Sequence, residues 1–404
     1  MDVFFSPPVR LQPFFGYRSR DRLVLGARAL RSRTPAFEKR GRVRAMRTLL
    51  GQFASREEGG VTVTLEIEVA DKLLLRHEAE TDREGFVRFD IALDPPFDLP
   101  PHPVWETVAL RWVNREGPQC AEAHVLVPGT DSHLAVISDI DDTIIETGIT
   151  GGLRSLARNW RRLLAELPED RIAVPGADVF YGALGGGHAL PPGEWRPGAR
   201  IPATHRPFFY VSSSPWNLFP YLVAFQRAKD LPLGPLLLRD WGLNRATFGS
   251  DSHGLHKSAA IDAILATYPE LSFALIGDDT QGDLPAYARV VEQNRERVAA
   301  IFVRTTDGDR LSPEEIAAKA LIEAAGVPLW LGDSFAVGQE FLRAAGFTPG
   351  GETEQIVRAV EQVPTEAEQQ APPDALKQRS GSANGDPRSS SAQRDSADKT
   401  PALK

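Results

Sequence analysis

The chain has 404 residues, a formal net charge of −8, 42% apolar residues and one cysteine, enough for two or three globular domains with a sizeable core. A lone Cys120 excludes an internal disulfide and a multi-cysteine metal site, and the simplest location it implies is the cytoplasm. No apolar run reaches bilayer-spanning length and residues 1–20 lack a secretory apolar core, so a lipid substrate would have to be met at the membrane surface.

In chain order, residues 1–48 read as a basic N-terminal segment: the first fifty residues hold twelve Lys and Arg against three acids. Such polarity suggests an anionic partner, a phospholipid surface before nucleic acid, because no aromatic-basic binding motif accompanies it. Nucleic acid is therefore not expected. The strand-like run Leu23-Val24-Leu25 leaves a solvated structural segment as the default. Residues 49–130 read as a small antiparallel β-sandwich. The stretch 61–69 alternates with period two, and 86–91, 108–113 and 124–127 follow between Asp/Gly/Pro turns. A lipid-binding, a partner-binding and a purely structural role for this domain stay open.

Residues 131–310 change character. Leu134-Ala135-Val136-Ile137 is an apolar run that ends in Ser138-Asp139-Ile140-Asp141-Asp142-Thr143. Three acids within four residues repel one another and resist desolvation, so a fold tolerates them best where a cation or phosphoryl chemistry needs them. The plain alternative, an acidic surface turn, fits poorly with apolar residues on both sides. The pattern recurs: Phe208-Phe209-Tyr210-Val211 ends in Ser212-Ser213-Ser214, and Phe273-Ala274-Leu275-Ile276 ends in Gly277-Asp278-Asp279-Thr280-Gln281-Gly282-Asp283. Near-continuous apolar strands separated by helical segments predict a doubly wound parallel sheet with its chemistry at the carboxyl ends of the strands. Lys257 opens a segment, 257–268, with apolar residues at helical spacing. A lysine at a helix start calls for an anion nearby, and a bound phosphate would supply it.

The order Asp-x-Asp-x-Thr, Ser, Lys, Gly-Asp-Asp with a further Asp resembles the four motifs of the haloacid-dehalogenase-like (HAD-like, Rossmannoid) phosphohydrolases. With their flanks, Tyr210-Val211-Ser212-Ser213-Ser214-Pro215-Trp216-Asn217-Leu218, Leu236-Leu237-Leu238-Arg239-Asp240 and His256-Lys257, these motifs resemble the catalytic domain of the phosphatidate phosphatase family typified by the fungal actin-patch protein. The fourth motif departs from that family, with Gly277-Asp278-Asp279-Thr280-Gln281 where Gly-Asp-Ser-Gly-Gln is expected.

The resemblance implies an aspartyl-phosphate mechanism in which Asp139 attacks phosphorus and Asp141 serves as general acid and then base. It implies Mg²⁺ held by Asp139, the main-chain carbonyl of Asp141, and Asp278 with Asp283, Asp279 being the second choice. Ser212 and Lys257 are implied as ligands of the transferring phosphoryl oxygens. It further implies hydrolysis of phosphatidate to diacylglycerol and phosphate. Gly148, Gly151 and Gly152 could form the tight turn and flap that the superfamily places after the first motif.

Residues 153–167 read as a basic amphipathic helix. Contact with an anionic membrane and ordinary solvated packing both fit it. Residues 182–207 are rich in Gly and Pro, but Gly185-Gly186-Gly187 lacks the following Gly-Lys-Ser/Thr of a phosphate-binding loop. Residues 311–363 read as a helical C-terminal appendix, with Asp333 after Leu329-Trp330-Leu331-Gly332 taken as a turn residue, and 364–404 as a disordered tail. A response-regulator receiver would lack Asp141. Two rivals remain: a phosphatase of a soluble phosphomonoester or nucleic-acid end, and a catalytically inert protein that binds anionic lipid.

Overall fold

The computed structural model describes residues 7–31, 56–69, 72–140, 143–144, 177–186, 201, 203–239, 251–279, 282–305 and 311–333. All fall within one compact unit, Met1–Val363. Asp141, the turn glycines 148, 151 and 152, the basic stretch 153–167, most of 182–207 and the tail 364–404 lie outside the described residues.

The first sheet contains β1 (Val9–Pro13), β2 (Gly16–Arg18), β3 (Arg22–Arg31), β4 (Arg56–Glu57), β5 (Thr62–Val69), β6 (Lys72–Glu80), β7 (Phe86–Ala92), β8 (Val104–Asn114) and β9 (Gly117–Val127). Its main path runs β1-β3-β2-β9-β8-β5-β6, with β4 and β7 also paired to β3. All of its pairings are antiparallel except β2 with β9. One core cluster takes alternate residues of these strands, among them Leu23, Leu25, Ala27, Val63, Leu65, Val87, Phe89, Leu110 and Val125.

Residues 9–31 are thus strands of the sheet, not a basic segment ahead of it. Their arginines face carboxylates: Arg18 with Glu106, Arg22 with Asp90, Arg28 with Glu57 and Arg31 with Glu58. Along β3 the buried Leu23, Leu25, Ala27 and Ala29 alternate with less buried positions that include Arg22, while the outward Arg28 is itself buried. The exposed one of these ion pairs, Arg22 with Asp90, contributes little stability, about 0–1 kcal/mol.

The second sheet is wholly parallel, in the order β12-β11-β10-β13-β14-β15. Its strands are β10 (Leu134–Ser138), β11 (Phe208–Pro215), β12 (Leu236–Arg239), β13 (Ser272–Asp278), β14 (Val298–Arg304) and β15 (Leu329–Gly332). The accompanying helices are α1 (Ala177–Gly185), α2 (Phe219–Ala228), α3 (Asp251–Thr267), α4 (Asp283–Asn294) and α5 (Pro313–Ala324).

Alternate side chains of each strand feed two separate cores. Val136, Phe208, Tyr210, Ala274, Ile276 and Phe302 pack with α1 and α2, while Ala135, Ile137, Phe209, Phe273, Leu275 and Ile301 pack with α3, α4 and α5. Burial on both faces explains why these strands are continuous apolar runs. Each fully buried Phe, Ile or Leu contributes roughly 1.5–3 kcal/mol.

Two local expectations change. Helix α3 begins at Asp251, so Lys257 stands in its second turn and not at its start. Residues 311–333 are not a wholly helical appendix: α5 is followed by β15, which pairs in parallel with β14 and extends the sheet. Helix α5 is started by a reciprocal capping box, Ser312 Oγ accepting from the Glu315 N–H and Glu315 Oε2 from the Ser312 N–H. The run Leu329-Trp330-Leu331 is too short for its period to reveal a strand, and its pairing partner decides it.

Besides its own core, the first sheet contributes side chains to both cores of the second. Phe14 and Phe86 of the first sheet's unit pack in the same cluster as α1 and α2, and Tyr17, Trp105 and Leu126 pack with α3 and α4.

Candidate active site

Strand β10 lies at the centre of the parallel sheet, with β11 on one side and β13 on the other. The chain runs outward from β10 through β11 to β12 and then returns to begin β13 on the opposite flank, which makes the carboxyl end of β10 the topological switch point of the sheet. The register aligns Ser138 with Tyr210 and with Ile276. Asp139, Ser212 and Asp278 therefore leave the same edge of the sheet within one or two residues of each other.

Asp139 is fixed through its own backbone, its N–H donating to the Ile276 carbonyl at 2.8 Å. Lys257 reaches in from α3, with its ammonium 3.0 Å from Asp139 Oδ1 and hydrogen-bonded to Asp283 Oδ1. The other Asp283 oxygen accepts from the Asp278 N–H at 3.1 Å. Thr143 Oγ1 donates to Asp278 Oδ2 at 2.8 Å and lies 3.4 Å from Asp139 Oδ2. Asp139, Lys257, Asp278, Asp283 and Thr143 are each at most 1% exposed.

The loop between Asp278 and Asp283 needs glycine twice. Gly282 caps α4 with φ +76°, a left-handed conformation that L side chains resist. At Gly277 a Cβ would run into the Asp283 carboxylate and the Tyr287 hydroxyl.

Asp139, Asp278 and Asp283 offer ligand oxygens that all lie within 4.8 Å of one another. Lys257 brings one positive charge against these three carboxylates, and an anhydrous cluster with that excess of negative charge is costly. The all-oxygen donor set fits a hard divalent cation. Burial alone draws the Lys257 ammonium down, but Asp139, Asp283 and Asp278 together outweigh it and hold its pKa above the ordinary lysine range. The side chain is thus a fixed cation. Burial foremost, with the nearby carboxylates, pushes Tyr181 and Tyr287 well above the usual tyrosine value, so both stay neutral hydroxyls. Tyr181 and Ser138 share a hydrogen bond of 2.7 Å, Ser138 Oγ donates to the Asp139 carbonyl, and the Tyr287 hydroxyl donates to the Ile276 carbonyl at 2.7 Å.

Of the residues singled out in the sequence, Asp139, Lys257, Asp278 and Asp283 come together in this cluster. Ser212 is fully buried at the same sheet edge, its Oγ accepting from the Ser214 N–H at 2.9 Å. Asp141 lies outside the described residues. Asp279, the second choice beside Asp283, is only half-buried, donates its N–H to the Arg304 carbonyl and is not among the clustered acids.

Three supporting side chains had not been singled out. Thr143 closes the first motif and was readable there. Tyr287 stands four residues after Asp283 on α4, the spacing that places two side chains on one helix face. Nothing local marks Tyr181, whose partner Ser138 is 43 residues away.

Three comparisons bear on this site. Residues 134–305 match the model of the family described as phosphatidate phosphatase APP1, catalytic domain. The chain is 29% identical over 229 residues to phosphatidate phosphatase APP1 of Saccharomyces cerevisiae, covering 56% of this chain and 32% of that one. It is 26% identical over 185 residues to an uncharacterised protein of Schizosaccharomyces pombe, covering 45% and 27%. The chain thus spans about a third or less of the length of these relatives. Among solved structures, a calcium-binding mutant of Bacteroides uniformis β-glucuronidase 2 aligns at 11% identity over 80% of this chain and 39% of that one, with a TM-score of 0.24, a likeness that carries no argument. The matched segment contains every member of the buried cluster from Asp139 to Asp283, and over residues 134–305 this chain is similar to the phosphatidate phosphatase APP1 catalytic-domain family.

Proposed function

We propose that the chain is a Mg²⁺-dependent phosphatidate phosphatase that hydrolyses phosphatidate to diacylglycerol and phosphate through an aspartyl-phosphate on Asp139. One observation carries the reading: a carboxylate, a lysine and two further acids, distant in sequence, are buried together at the switch point of a parallel sheet, in the segment that matches the family. The catalytic domain is read as HAD-like and doubly wound over 131–310, the first sheet as a β-sandwich closed over its own core, and 311–363 and 364–404 as appendix and tail.

In this mechanism an Asp139 carboxylate oxygen attacks phosphorus as the bond from phosphorus to the ester oxygen breaks. Asp141 gives its proton to the departing alkoxide, which leaves as the alcohol. Asp141 then takes a proton from water as the water oxygen attacks the acyl phosphate, which frees Asp139 and releases inorganic phosphate. Lys257, fixed as a cation between Asp139 and Asp283, neutralises charge on the phosphoryl oxygens, and Ser212 supplies a hydrogen bond to them. Mg²⁺ held by Asp139, Asp278, Asp283 and the Asp141 carbonyl would bring phosphate and nucleophile together and offset their mutual repulsion.

The clustered acids and lysine at the sheet edge support phosphoryl transfer, and the leaving group would be chosen by what covers them. Phosphatidate is favoured by the name of the yeast relative, with which this chain shares 29% identity over 229 residues. Among the described residues no helix is long and apolar enough to cross a membrane. Peripheral contact with an anionic bilayer from the cytoplasmic side is therefore part of the proposal.

The test is Mg²⁺-dependent phosphate release from phosphatidate vesicles and from a soluble phosphomonoester, comparing the full chain with Asp139→Asn. Activity on vesicles that is lost in the variant supports the whole reading. Activity confined to the soluble ester keeps the mechanism and rejects the lipid, and inactivity on both substrates rejects the enzyme in favour of an inert lipid-binding protein.

A further inference from the structure

The serine segment lies within β11 where its pairing with β12 is irregular. Tyr210 and Val211 pair with Leu236 and Leu237, but the register with β12 then shifts, and pairing resumes only at Pro215 with Arg239. Ser212, Ser213 and Ser214 occupy that interruption. A phosphate-binding hydroxyl must be placed to within a fraction of an ångström, because a misplacement of about 1 Å can cost about 100-fold in rate.

The first sheet reaches the turn that ends this strand. Arg28, on β3 and only 8% exposed, donates through one terminal guanidinium nitrogen to Asn217 Oδ1, in the short 3₁₀ turn Trp216–Leu218 that directly follows β11. Its other terminal nitrogen donates to Glu57 and its Nε to the Glu84 carbonyl at 3.1 Å. Its flat head stacks on Phe86, with the guanidinium carbon 4.4 Å from the ring centroid. Beside Asn217, Trp216 packs against Phe14 and Phe86 with ring centroids 4.2 Å and 6.1 Å apart. The guanidinium is thus held on three sides by its own sheet and presents the remaining donor to the turn that ends the serine segment.

We propose that Arg28 is a positioning residue for phosphoryl binding: through Asn217 it sets the placement of Ser212, so that the β-sheet unit forms part of the catalytic machinery of its neighbour. This rests on the reading of Ser212 as a phosphoryl ligand given above. A planar fork with donors in fixed directions suits the task, and lysine cannot reproduce it.

The experiment uses the full chain and measures kcat and KM for Mg²⁺-dependent phosphate release, together with inhibition by inorganic phosphate. Arg28→Met and Asn217→Leu are each expected to lower kcat by about 10- to 100-fold and to weaken phosphate inhibition, with a smaller change in KM for substrate. The double variant should lose no more than the worse single one, since both break one link. Arg28→Lys should recover part of the loss. Asn217 is exposed, so its replacement leaves no hole in the core and serves even if Arg28→Met does not fold. Arg22→Gln, on the same strand but paired with Asp90, should keep full activity.

Undiminished kcat in both Arg28→Met and Asn217→Leu, beside an impaired Ser212→Ala, would overturn the positioning role and leave the phosphatase reading intact. Losses that multiply in the double variant, or an equal loss in Arg22→Gln, would overturn it as well. If the unmodified chain releases no phosphate, the phosphatase reading fails and this proposal falls with it.

Discussion

Lys257 and Asp283, both fully buried, are hydrogen-bonded across 26 residues of sequence, and the second oxygen of the same carboxylate holds the backbone N–H of Asp278. One aspartate at the start of α4 thereby orients the site's lysine and one of its acids at once.

Replacing Asp283 with Asn should reduce kcat by about 100-fold, since losing a residue that orients ligands typically costs 10- to 100-fold and this one orients two groups. Asp279→Asn, outside the cluster, should stay within about threefold of the unmodified chain. Steady-state kinetics at saturating Mg²⁺ decide the matter, and a reversed order of the two variants would reassign the second acid of the fourth motif.

Lys257→Met removes the cation from three buried carboxylates. Breaking a buried pair in this way typically costs about 3–5 kcal/mol, because the abandoned charges have no water to turn to. Urea unfolding without divalent metal should show a loss of that size, and a change below about 1 kcal/mol would contradict the electrostatic picture of the cluster.

Divalent cations should raise the melting temperature in the absence of substrate. A ligand that binds only the folded state at 100 times its Kd adds about 2.7 kcal/mol. Asp278→Asn should abolish the Mg²⁺-dependent shift while keeping the fold. A variant that still responds to Mg²⁺ like the parent would place the metal elsewhere.

Gly277→Ala would push a methyl group into the Asp283 carboxylate and the Tyr287 hydroxyl. Both are buried and hydrogen-bonded, so neither can swing away at low cost, and overpacking of this kind costs about 1–3 kcal/mol. Activity should fall further than stability does, because the displaced carboxylate is the one that holds Lys257. Equal activity in the alanine variant would show that the loop relaxes without moving Asp283.

Alkaline stability follows from the buried tyrosines. Burial, more than any neighbouring charge, pushes Tyr17 up to about 12, and Tyr181, Tyr268 and Tyr287 rise well above the usual value for the same reason. In the unfolded chain these phenols ionise near 10. Their contribution is fully present below about pH 10 and is lost as the pH climbs toward about 12, at about 1.4 kcal/mol per pH unit for each group that keeps its proton in the native state. A titration of tyrosinate absorbance should therefore show a late, cooperative step that coincides with unfolding. Early and independent ionisation of all the tyrosines would contradict it.

Much of the site was legible from its strands. Leu134-Ala135-Val136-Ile137, Phe208-Phe209-Tyr210-Val211 and Phe273-Ala274-Leu275-Ile276 are apolar throughout because both faces of the parallel sheet are covered, and the polar residues that end them mark the edge where the buried acids gather. The β3 strand was harder to see, since Val24 and Leu30 put apolar residues on its other face and its arginines have carboxylate partners far away in sequence.

By itself the sequence determined which residue types stand at the ends of which strands, because strand period, burial and the clustering of acids are local properties. It determined neither that Asp283 joins the buried acid cluster while Asp279 does not, nor that Arg28 reaches Asn217. Those depend on which side chains meet across 26 residues in one case and 189 in the other. Contacts at such separation are set by the packing of one sheet's unit against the other and by the turn at Gly282, and so only the tertiary structure decided them.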